Sequence, residues 1–450
     1  MGVTARIAGF VADIKYEEIP SRAVEVGKTA VLDCLGVALA GSKEASAKIC
    51  AQIARQEGAG GESTLFGQGF KSSALNAAFA NGTAAHALDY DHGFILMGQP
   101  AAPIIPAVLA LGESLGASGR QLLEAYVAGF EVTAKMALSL RDSSQDGWHA
   151  PGTLGSFGAG VACAKLLRLN ASEVEMALGI TASMASGVVS NFGTMTKPLH
   201  VAMAARNGVL AAKLAQSGYT ANAQALEAGN GFYDMYYRAE PTGNICLEQL
   251  GQSYELAEKG IRIKPYPCGG LTHSAIDAVL DIRAEHRIAP QEVEAVRVDV
   301  SEHTYGRIVF KIPQTGLQGK FSMSYILSRA VIDGAVGLDA FTDAAVRDPL
   351  VLELAGRIDM RLDPSLKESD EGSRPCRVLV RLKNGTSFSR QIEFPKGSAE
   401  VPLPAQELRA KFAECARRAI DEKSIERALE YVECLETLKD IRPLCQLLLG

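Results

Sequence analysis

The sequence predicts a mainly α protein in which a large all-α domain holds a smaller α+β domain as an insertion. Helical periodicity runs through residues 19–260, strand-like alternation follows with a hairpin signal at Asn384–Gly385, and helical periodicity returns after Pro404. A chain of 450 residues also suits two hydrophobic cores better than one. We therefore expect residues 1–262 plus 396–450 to form the helical domain, and residues 263–395 to form the α+β domain.

The first long helix is predicted to begin at Pro20–Ser21 and to stop at Gly41. Two further stretches, over residues 122–130 and 202–214, are amphipathic or Ala-rich and favour close helix packing. Within the first helix, apolar residues recur at helical spacing at Val24, Ala30, Val31, Leu35 and Leu39.

The composition changes near Arg262, where residues 264–270 are rich in Pro and Gly. Apolar and polar residues alternate over 296–300 and again over 378–382, and the second run leads into Asn384–Gly385, a strong hairpin-turn signal. The pattern predicts an α+β region after the boundary. The helical tail that follows is expected to pack back on the first domain.

Charge, hydropathy and cysteine content exclude several classes of function. The chain has 45 Lys and Arg residues against 51 Asp and Glu residues, which gives a net charge of -6. No broad basic surface is therefore expected for nucleic acid. The apolar stretch Ala101–Leu111 is far shorter than the roughly 20 residues that span a bilayer, and Met1–Phe10 lacks the features of a signal peptide. The 9 cysteines form no C-x-x-C pair and no zinc-finger spacing. We expect a cytoplasmic protein with reduced thiols, no metal and no membrane partner.

Two segments in the first half of the chain crowd ionisable side chains. Residues 84–94 hold two carboxylates and two imidazoles, among them Asp89 and His92, although a solvated helix end would look the same. On a helix, Asp89 and Asp91 point to different faces, so only one would face a shared pocket. His149 follows the chain's 1 Trp, and a purely structural histidine is the alternative there.

Three later segments complete the set of candidates. Lys197 lies among small and apolar residues, which suits a base or a carboxylate-binding cation; the alternative is a helix-start lysine that reaches water. His200 and Arg206 follow on the same predicted helix. His273 begins a predicted helix, where it would donate to an anion or relay a proton. Tyr325 enters an apolar helix, and a core tyrosine with a satisfied hydroxyl is the alternative.

The order of several segments resembles the MmgE/PrpD family over nearly the whole chain. The segments that carry the resemblance are Leu32–Gly41, His86–Asp91, Pro100–Glu113, Gly193–His200, Lys264–Cys268, Thr272–Asp277 and Gly319–Ser322. The likeness rests on the order of many segments and on no single motif.

This resemblance implies a homodimeric enzyme with a helical domain, a smaller lid domain, and no cofactor or metal. The family includes 2-methylcitrate dehydratase, cis-aconitate decarboxylase and iminodisuccinate epimerase, which make or quench a carbanion-like centre beside a carboxylate. The family's active-site positions fall by motif on Asp89, His149, Lys197, His273 and Tyr325. Contributions to substrate binding are expected from Gln99, His92, Arg206 and Lys264.

The expected activity is a lyase that dehydrates or decarboxylates a small polycarboxylic acid. In this hypothesis Lys197 and His149 lie near the reacting carbon. Tyr325 gives a proton or binds an oxyanion, His273 contacts a substrate carboxylate, and Asp89 orients an imidazole. The α+β domain would close over the ligand and exclude water.

One departure from the family pattern keeps alternatives open. Gln99 stands where the family usually has a histidine, and glutamine transfers no proton near neutral pH. His92 is the nearby residue that would replace it. The alternatives are an epimerase of a dicarboxylate such as iminodisuccinate, and a homologue that binds its ligand without catalysis.

Overall fold

The computed structural model describes residues 1–140, 147–238, 245–369 and 372–450. These residues form two compact units. The first, called the helical unit here, comprises Met1–Ile261 and Ala405–Gly450; the second, called the sheet unit, comprises Arg262–Pro404.

The second boundary between the units lies later than the 395/396 expected from the sequence, because residues 396–404 are bonded within the sheet unit. The amide of Lys396 donates to Asp277 Oδ2 at 2.7 Å. The amide of Ile263 donates to the carbonyl of Gly397 at 2.8 Å. Both partners of each bond belong to the sheet unit, so the extended run before the C-terminal helices does too.

The helical unit confirms the prediction of a mainly α chain. Its helices are α1 Val3–Asp13, α2 Ser21–Gly41, α3 Ala45–Gly58, α4 Ala74–His86, α5 Ala101–Leu115, α6 Gly119–Ser139, α7 Ala150–Leu166, α8 Ala171–Met184, α9 Thr196–Gln216, α10 Phe232–Tyr237, α11 Ile245–Glu248, α12 Glu255–Glu258 and, from the tail, α18 Ala405–Ala416, α19 Glu422–Glu433 and α20 Arg442–Leu447. Across the described ranges, none of the helices combines the length and apolar character needed to cross a membrane.

Local sequence explains where several of these helices begin. Ser118 accepts a hydrogen bond from the amide of Gln121, whose side chain accepts from the amide of Ser118, so α6 starts with a capping box. Asn170 and Glu173 make the same reciprocal pair at the start of α8. The predicted helix from Ser21 to Gly41 is α2.

Glycines let α4, α7 and α9 approach one another closely. A Cβ on Gly82 of α4 would lie 3.0 Å from the Cα of Ala202 in α9. A Cβ on Gly208 of α9 would lie 2.5 Å from the Cβ of Ala159 in α7, which is closer than carbon atoms pack. These three helices carry or adjoin Asp89, His149 and Lys197, so their close packing brings these three candidate residues near one another.

The expectation that the first region is all-α is wrong in one detail. Strands β1, Ala59–Thr64, and β2, Lys71–Ser72, form an antiparallel pair with an irregular register between Ala59 and Ser63. Small, polar and charged residues make up this short pair, so it shows no alternation of apolar and polar residues from which a strand is predicted.

The sheet unit holds a four-stranded sheet with helices beside it. The strands are β3 Val293–Val300, β4 Ile358–Leu362, β5 Cys376–Leu382 and β6 Ser387–Ile392, and they lie in the order β4-β3-β5-β6. The helices are α13 His273–His286, α14 Glu302–Arg307, α15 Gly316–Gly319, α16 Met323–Asp333 and α17 Pro349–Ala355.

The two strand runs predicted from alternation are β3 and β5, and they pair antiparallel. Val296 lies opposite Val380 and Val298 opposite Val378, and all four side chains are buried in the core of the unit. The predicted hairpin joins β5 to β6, with Gly385 at φ +87. The core is completed by apolar residues of α13 and α16.

Candidate active site in the helical unit

Three imidazoles lie side by side where α4 ends and where α7 and α9 begin. We call His86, His149 and His200 the imidazole cluster. The ring centroids of His86 and His149 are 5.5 Å apart, and those of His149 and His200 are 5.4 Å apart. The Nδ1 atoms of His149 and His200 are 3.2 Å apart, so one of these rings donates and the other accepts.

Backbone bonds from a neighbouring loop hold His149 in place. Its amide donates to the carbonyl of Gly187 at 2.9 Å, and Trp148 forms an isolated bridge with Val188. Gly187 has φ +128, and a Cβ there would lie 3.0 Å from the ring of His200. Glycine is therefore required at this position, both for its backbone conformation and for its contact with the imidazole.

An ion pair lies at the edge of the imidazole cluster. Lys197 Nζ donates to Asp89 Oδ1 at 2.8 Å, and the two side chains are 18% and 15% exposed. Phe192 links the pair to the cluster, because its ring centroid is 5.7 Å from Lys197 Nζ and 4.9 Å from that of His149. Asp89 has φ 52, an uncommon conformation for a residue with a side chain.

Lys197 occupies a position that helix electrostatics disfavour. It is the second residue of α9, where the positive end of the helix dipole opposes a cation. Asp89 offsets that penalty through the ion pair. A cation kept at an unfavourable helix end, partly shielded from water, is typical of a functional position.

The electrostatics of the cluster keep two of its imidazoles neutral. Burial, followed by the positive potential of His86 and Lys197, lowers the pKa of His149 to about 2. Burial and the same two neighbours also lower the pKa of His200. At neutral pH His149 is thus an uncharged imidazole able to hydrogen-bond a substrate.

Carboxylates hold the imidazole of His86, at the end of α4, and that of His92 in the loop that follows. The Nδ1 atom of His86 lies 2.8 Å from Asp91 Oδ2, and that of His92 lies 2.9 Å from Asp33 Oδ2. All four side chains have no exposed surface. Since α4 ends at His86, the helical spacing assumed for the aspartates does not apply, and Asp91 is turned back onto His86.

His92 belongs to a separate buried ion cluster. Lys411 Nζ of α18 lies 2.6 Å from Asp33 Oδ1 and 3.0 Å from the carbonyl of Tyr90, over whose ring it also sits. Although burial raises the pKa of Asp33, Lys411 and the hydrogen bond from His92 outweigh it and lower that pKa. Among the described residues, no hydrogen bond, ion pair or ring contact joins His92 to Lys197 or His149.

The predicted binding residues Gln99 and Arg206 are both half-buried. Gln99 follows a small hairpin in which Phe94 bridges Gly98, and Gly98 packs against Pro151 at the start of α7, next to His149. Arg206 lies nine residues beyond Lys197, so the helical rise puts it roughly 13 Å further along α9.

The remaining predicted site residues belong to the sheet unit. His273 begins α13 and is buried, with the ring of Tyr266 at an edge-to-face distance of 5.3 Å. The buried hydroxyl of Tyr325 donates to the carbonyl of Ala340, and burial raises the pKa of Tyr325 to about 12. Lys264 is half-buried. That these residues share one cavity with Lys197 stays a prediction.

Sequence reasoning named neither His86 nor His200 among the site residues, although both lay in the motifs it used. His200 stands three residues after Lys197, the spacing that puts two side chains on one helix face, and this was the available signal. Asp33 and Lys411 are 378 residues apart, and no local pattern pairs them. In the part of the chain that the structure describes, no group of three His, Cys, Asp or Glu side chains is arranged to hold a metal ion.

Comparisons with known proteins agree on one family. Residues 5–243 match the MmgE/PrpD N-terminal domain and residues 266–437 match the MmgE/PrpD C-terminal domain. The chain is 28% identical to cis-aconitate decarboxylase of Mus musculus, over 100% of this chain and 93% of the relative. It is 26% identical to cis-aconitate decarboxylase of Homo sapiens, over 100% and 95%, and 27% identical to that of Aspergillus terreus, over 99% and 96%.

Proposed function

This chain belongs to the MmgE/PrpD family, and on that premise we propose that it is a lyase that decarboxylates or dehydrates a small polycarboxylic acid without a cofactor. The observation that carries the proposal is the Lys197–Asp89 ion pair beside His149, an imidazole that is neutral at working pH. The ammonium suits a substrate carboxylate, and the neutral imidazole suits a hydrogen bond to the substrate. The names of the relatives make decarboxylation the first reaction to test.

Both reactions make the same demands on a site. In decarboxylation the bond between carbon and carboxylate breaks, CO2 leaves with no net charge, and the electron pair left on carbon takes up one proton. In dehydration a base removes a proton beside a carboxylate, and the hydroxyl leaves as water after gaining a proton. Each path needs a cation that stabilises developing negative charge and groups that exchange a proton with carbon.

The residues of the helical unit meet these demands as follows. The Lys197 ammonium has three donors, so it can keep its bond to Asp89 and bind a substrate carboxylate with another. His149, fixed by its backbone bond to Gly187 and its ring contact with His200, faces the reacting carbon. The predicted contributions of the sheet unit are His273 on a second carboxylate and Tyr325 as donor, with that unit acting as the lid.

The test is an NMR screen in heavy water with citrate, 2-methylcitrate, cis-aconitate, itaconate and iminodisuccinate. Decarboxylation releases CO2 and places one deuteron on carbon, whereas dehydration forms an alkene and water. We expect turnover of at least one compound, reduced about 10²–10⁴-fold in His149→Gln. His303→Gln, on an exposed residue of the sheet unit, is the control and should keep the full rate. If wild type neither converts nor exchanges any compound, the lyase proposal fails and a binding homologue is favoured.

A second candidate, an epimerase of a dicarboxylate, is favoured by Gln99 alone. An epimerase removes and returns a proton at one carbon with no net change in composition, so it can dispense with an acid that a lyase uses for its leaving group. The same spectra distinguish it. Deuterium at Cα of recovered substrate, with no alkene and no CO2, would favour the epimerase over the lyase.

A further inference from the structure

His86 differs from the other members of the imidazole cluster in having a carboxylate partner. Its Nδ1 atom lies 2.8 Å from Asp91 Oδ2, whereas the ring nitrogens of His149 and His200 contact each other. Both His86 and Asp91 have fully buried side chains. A carboxylate has no proton to give at neutral pH, so the imidazole donates and the proton of neutral His86 resides on Nδ1.

The opposite nitrogen of His86 is left with a lone pair inside the protein. Nε2 is buried and has no hydrogen-bond partner within the described ranges. Asp91 Oδ1 is in the same condition. A buried acceptor without a partner costs free energy, and a hydrogen bond from a bound molecule or a transferred proton offsets that cost.

The surroundings of the cluster determine which imidazole holds an added proton. The charged and titratable groups that face His86 are Asp91, on its own loop, and His149, which in turn adjoins Lys197 and His200 of α9. Lys197 adds positive potential to His149 and His200, and although Asp89 opposes it at His149, its effect is smaller than those of burial, His86, Lys197 and His200. An imidazolium is stabilised by a carboxylate on its other nitrogen, as in Ser-His-Asp sites.

We propose that His86, positioned by Asp91, is a catalytic acid–base residue of this site; the inference rests on the proposed lyase function. Protonated His86 gives its Nε2 proton to the carbon from which CO2 departs. The N–H bond breaks, the C–H bond forms with the electron pair left by CO2, and His86 becomes neutral. Solvent then returns the proton. In dehydration neutral His86 accepts the proton from carbon on Nε2, the electron pair of that C–H bond forms the alkene, and the hydroxyl leaves as water after it gains a proton from solvent.

Two substitutions separate this role from a structural one. His86→Asn can keep a donor near the position of Nδ1 and hence the bond to Asp91, but it has no Nε2. His86→Gln reaches the position of Nε2 with an amide that cannot carry a proton at neutral pH. A catalytic His86 predicts that both variants lower kcat about 10²–10⁴-fold with KM changed less than threefold. His286→Asn, an exposed histidine of α13, is the matched control.

The outcomes are distinct for the two proposals. Wild type that turns over a substrate while His86→Asn keeps kcat within threefold would overturn the role of His86 alone. Wild type without turnover would overturn the lyase function and the catalytic role together. If His86→Asn does not fold, nitrogen-15 NMR of wild-type imidazoles decides the point. We expect His86 to carry its proton on Nδ1, and a proton on Nε2 in the neutral ring would overturn the inference.

Discussion

Replacing Lys197 with Met removes the cation of the proposed site while keeping the length and apolar stem of the side chain. The substitution breaks the bond from Nζ to Asp89 Oδ1 and leaves the ring of Phe192 without the cation near it. Met is a good helix former, so α9 itself should be unaffected. The variant therefore tests the charge more than the packing.

The expected loss of stability is small. Removing one partner costs 0–1 kcal/mol for exposed pairs and about 3–5 kcal/mol for buried ones. With side chains 18% and 15% exposed, this pair lies between those limits. Loss of a cation from the first turn of α9 also removes its repulsion by the helix dipole, which restores roughly 0.3–1 kcal/mol of stability. The net cost is about 1–2 kcal/mol, which lowers Tm by only a few degrees in a domain of this size.

The expected loss of activity is much larger. A cation that binds a substrate carboxylate and stabilises the negative charge that develops beside it should contribute about 10²–10⁴-fold to kcat/KM, equivalent to ~3–5 kcal/mol at the transition state. The assay is the rate of CO2 release or alkene formation with the substrate found in the NMR screen, together with a thermal melt. Lys213→Met is the control, since Lys213 is exposed in the last turn of the same helix. Its loss changes the dipole energy by a similar amount in the opposite, destabilising direction.

Two outcomes would refute this reasoning. Lys197→Met with kcat/KM within threefold of wild type would show that the ammonium is not needed for the reaction. Equal losses of activity in Lys197→Met and Lys213→Met would show that the effect comes from helix stability and not from the site.

Two further predictions concern stability. Lys411→Met leaves the buried Asp33 carboxylate without its cation, so the urea midpoint should fall by the equivalent of about 3–5 kcal/mol. The double variant with Asp33→Asn should recover part of the lost stability. A loss below about 1 kcal/mol in Lys411→Met would contradict this prediction. Because the native pKa of His149 is about 2 and an unfolded histidine has a pKa of about 6.5, the unfolded state binds the extra proton, so stability from this group is full above pH 6.5 and declines as the pH falls. Between pH 7.5 and 5.5 the free energy of unfolding, measured by urea denaturation, should decline by about 1.4 kcal/mol. This decline should disappear in His149→Gln. The same pH dependence in wild type and His149→Gln would contradict the low pKa of His149.

Much of the fold follows from local signals in the sequence. The start and stop of α2, the alternation in β3 and β5, and the Asn384–Gly385 hairpin depend on residues within a few positions of one another. Strand β4 was not predicted, although Ile358, Met360 and Leu362 alternate with Asp359 and Arg361. The run has only 5 residues, and its parallel partner β3 lies in a distant part of the chain.

The candidate site divides in the same way. The residue types that suit proton transfer, and the i and i+3 spacing of Lys197 and His200, are visible in the sequence. Their partners are not, since Asp89 meets Lys197 across 108 positions and His149 meets His200 across 51. Chemical type is local information, whereas hydrogen-bond geometry depends on how α4, α7 and α9 pack.

The sequence by itself determined the helical character of the chain, its change of composition near Arg262, and the ionisable residues available for catalysis, because each depends on side-chain type and short-range spacing. Only the tertiary structure decided which carboxylate holds which imidazole. In the folded chain Asp91 pairs with His86 and Asp33 pairs with His92, and His149 is buried beside positive neighbours that keep its ring neutral. Burial and charge proximity are properties of the packed chain, and they set whether a histidine is a base, an acid or a structural residue.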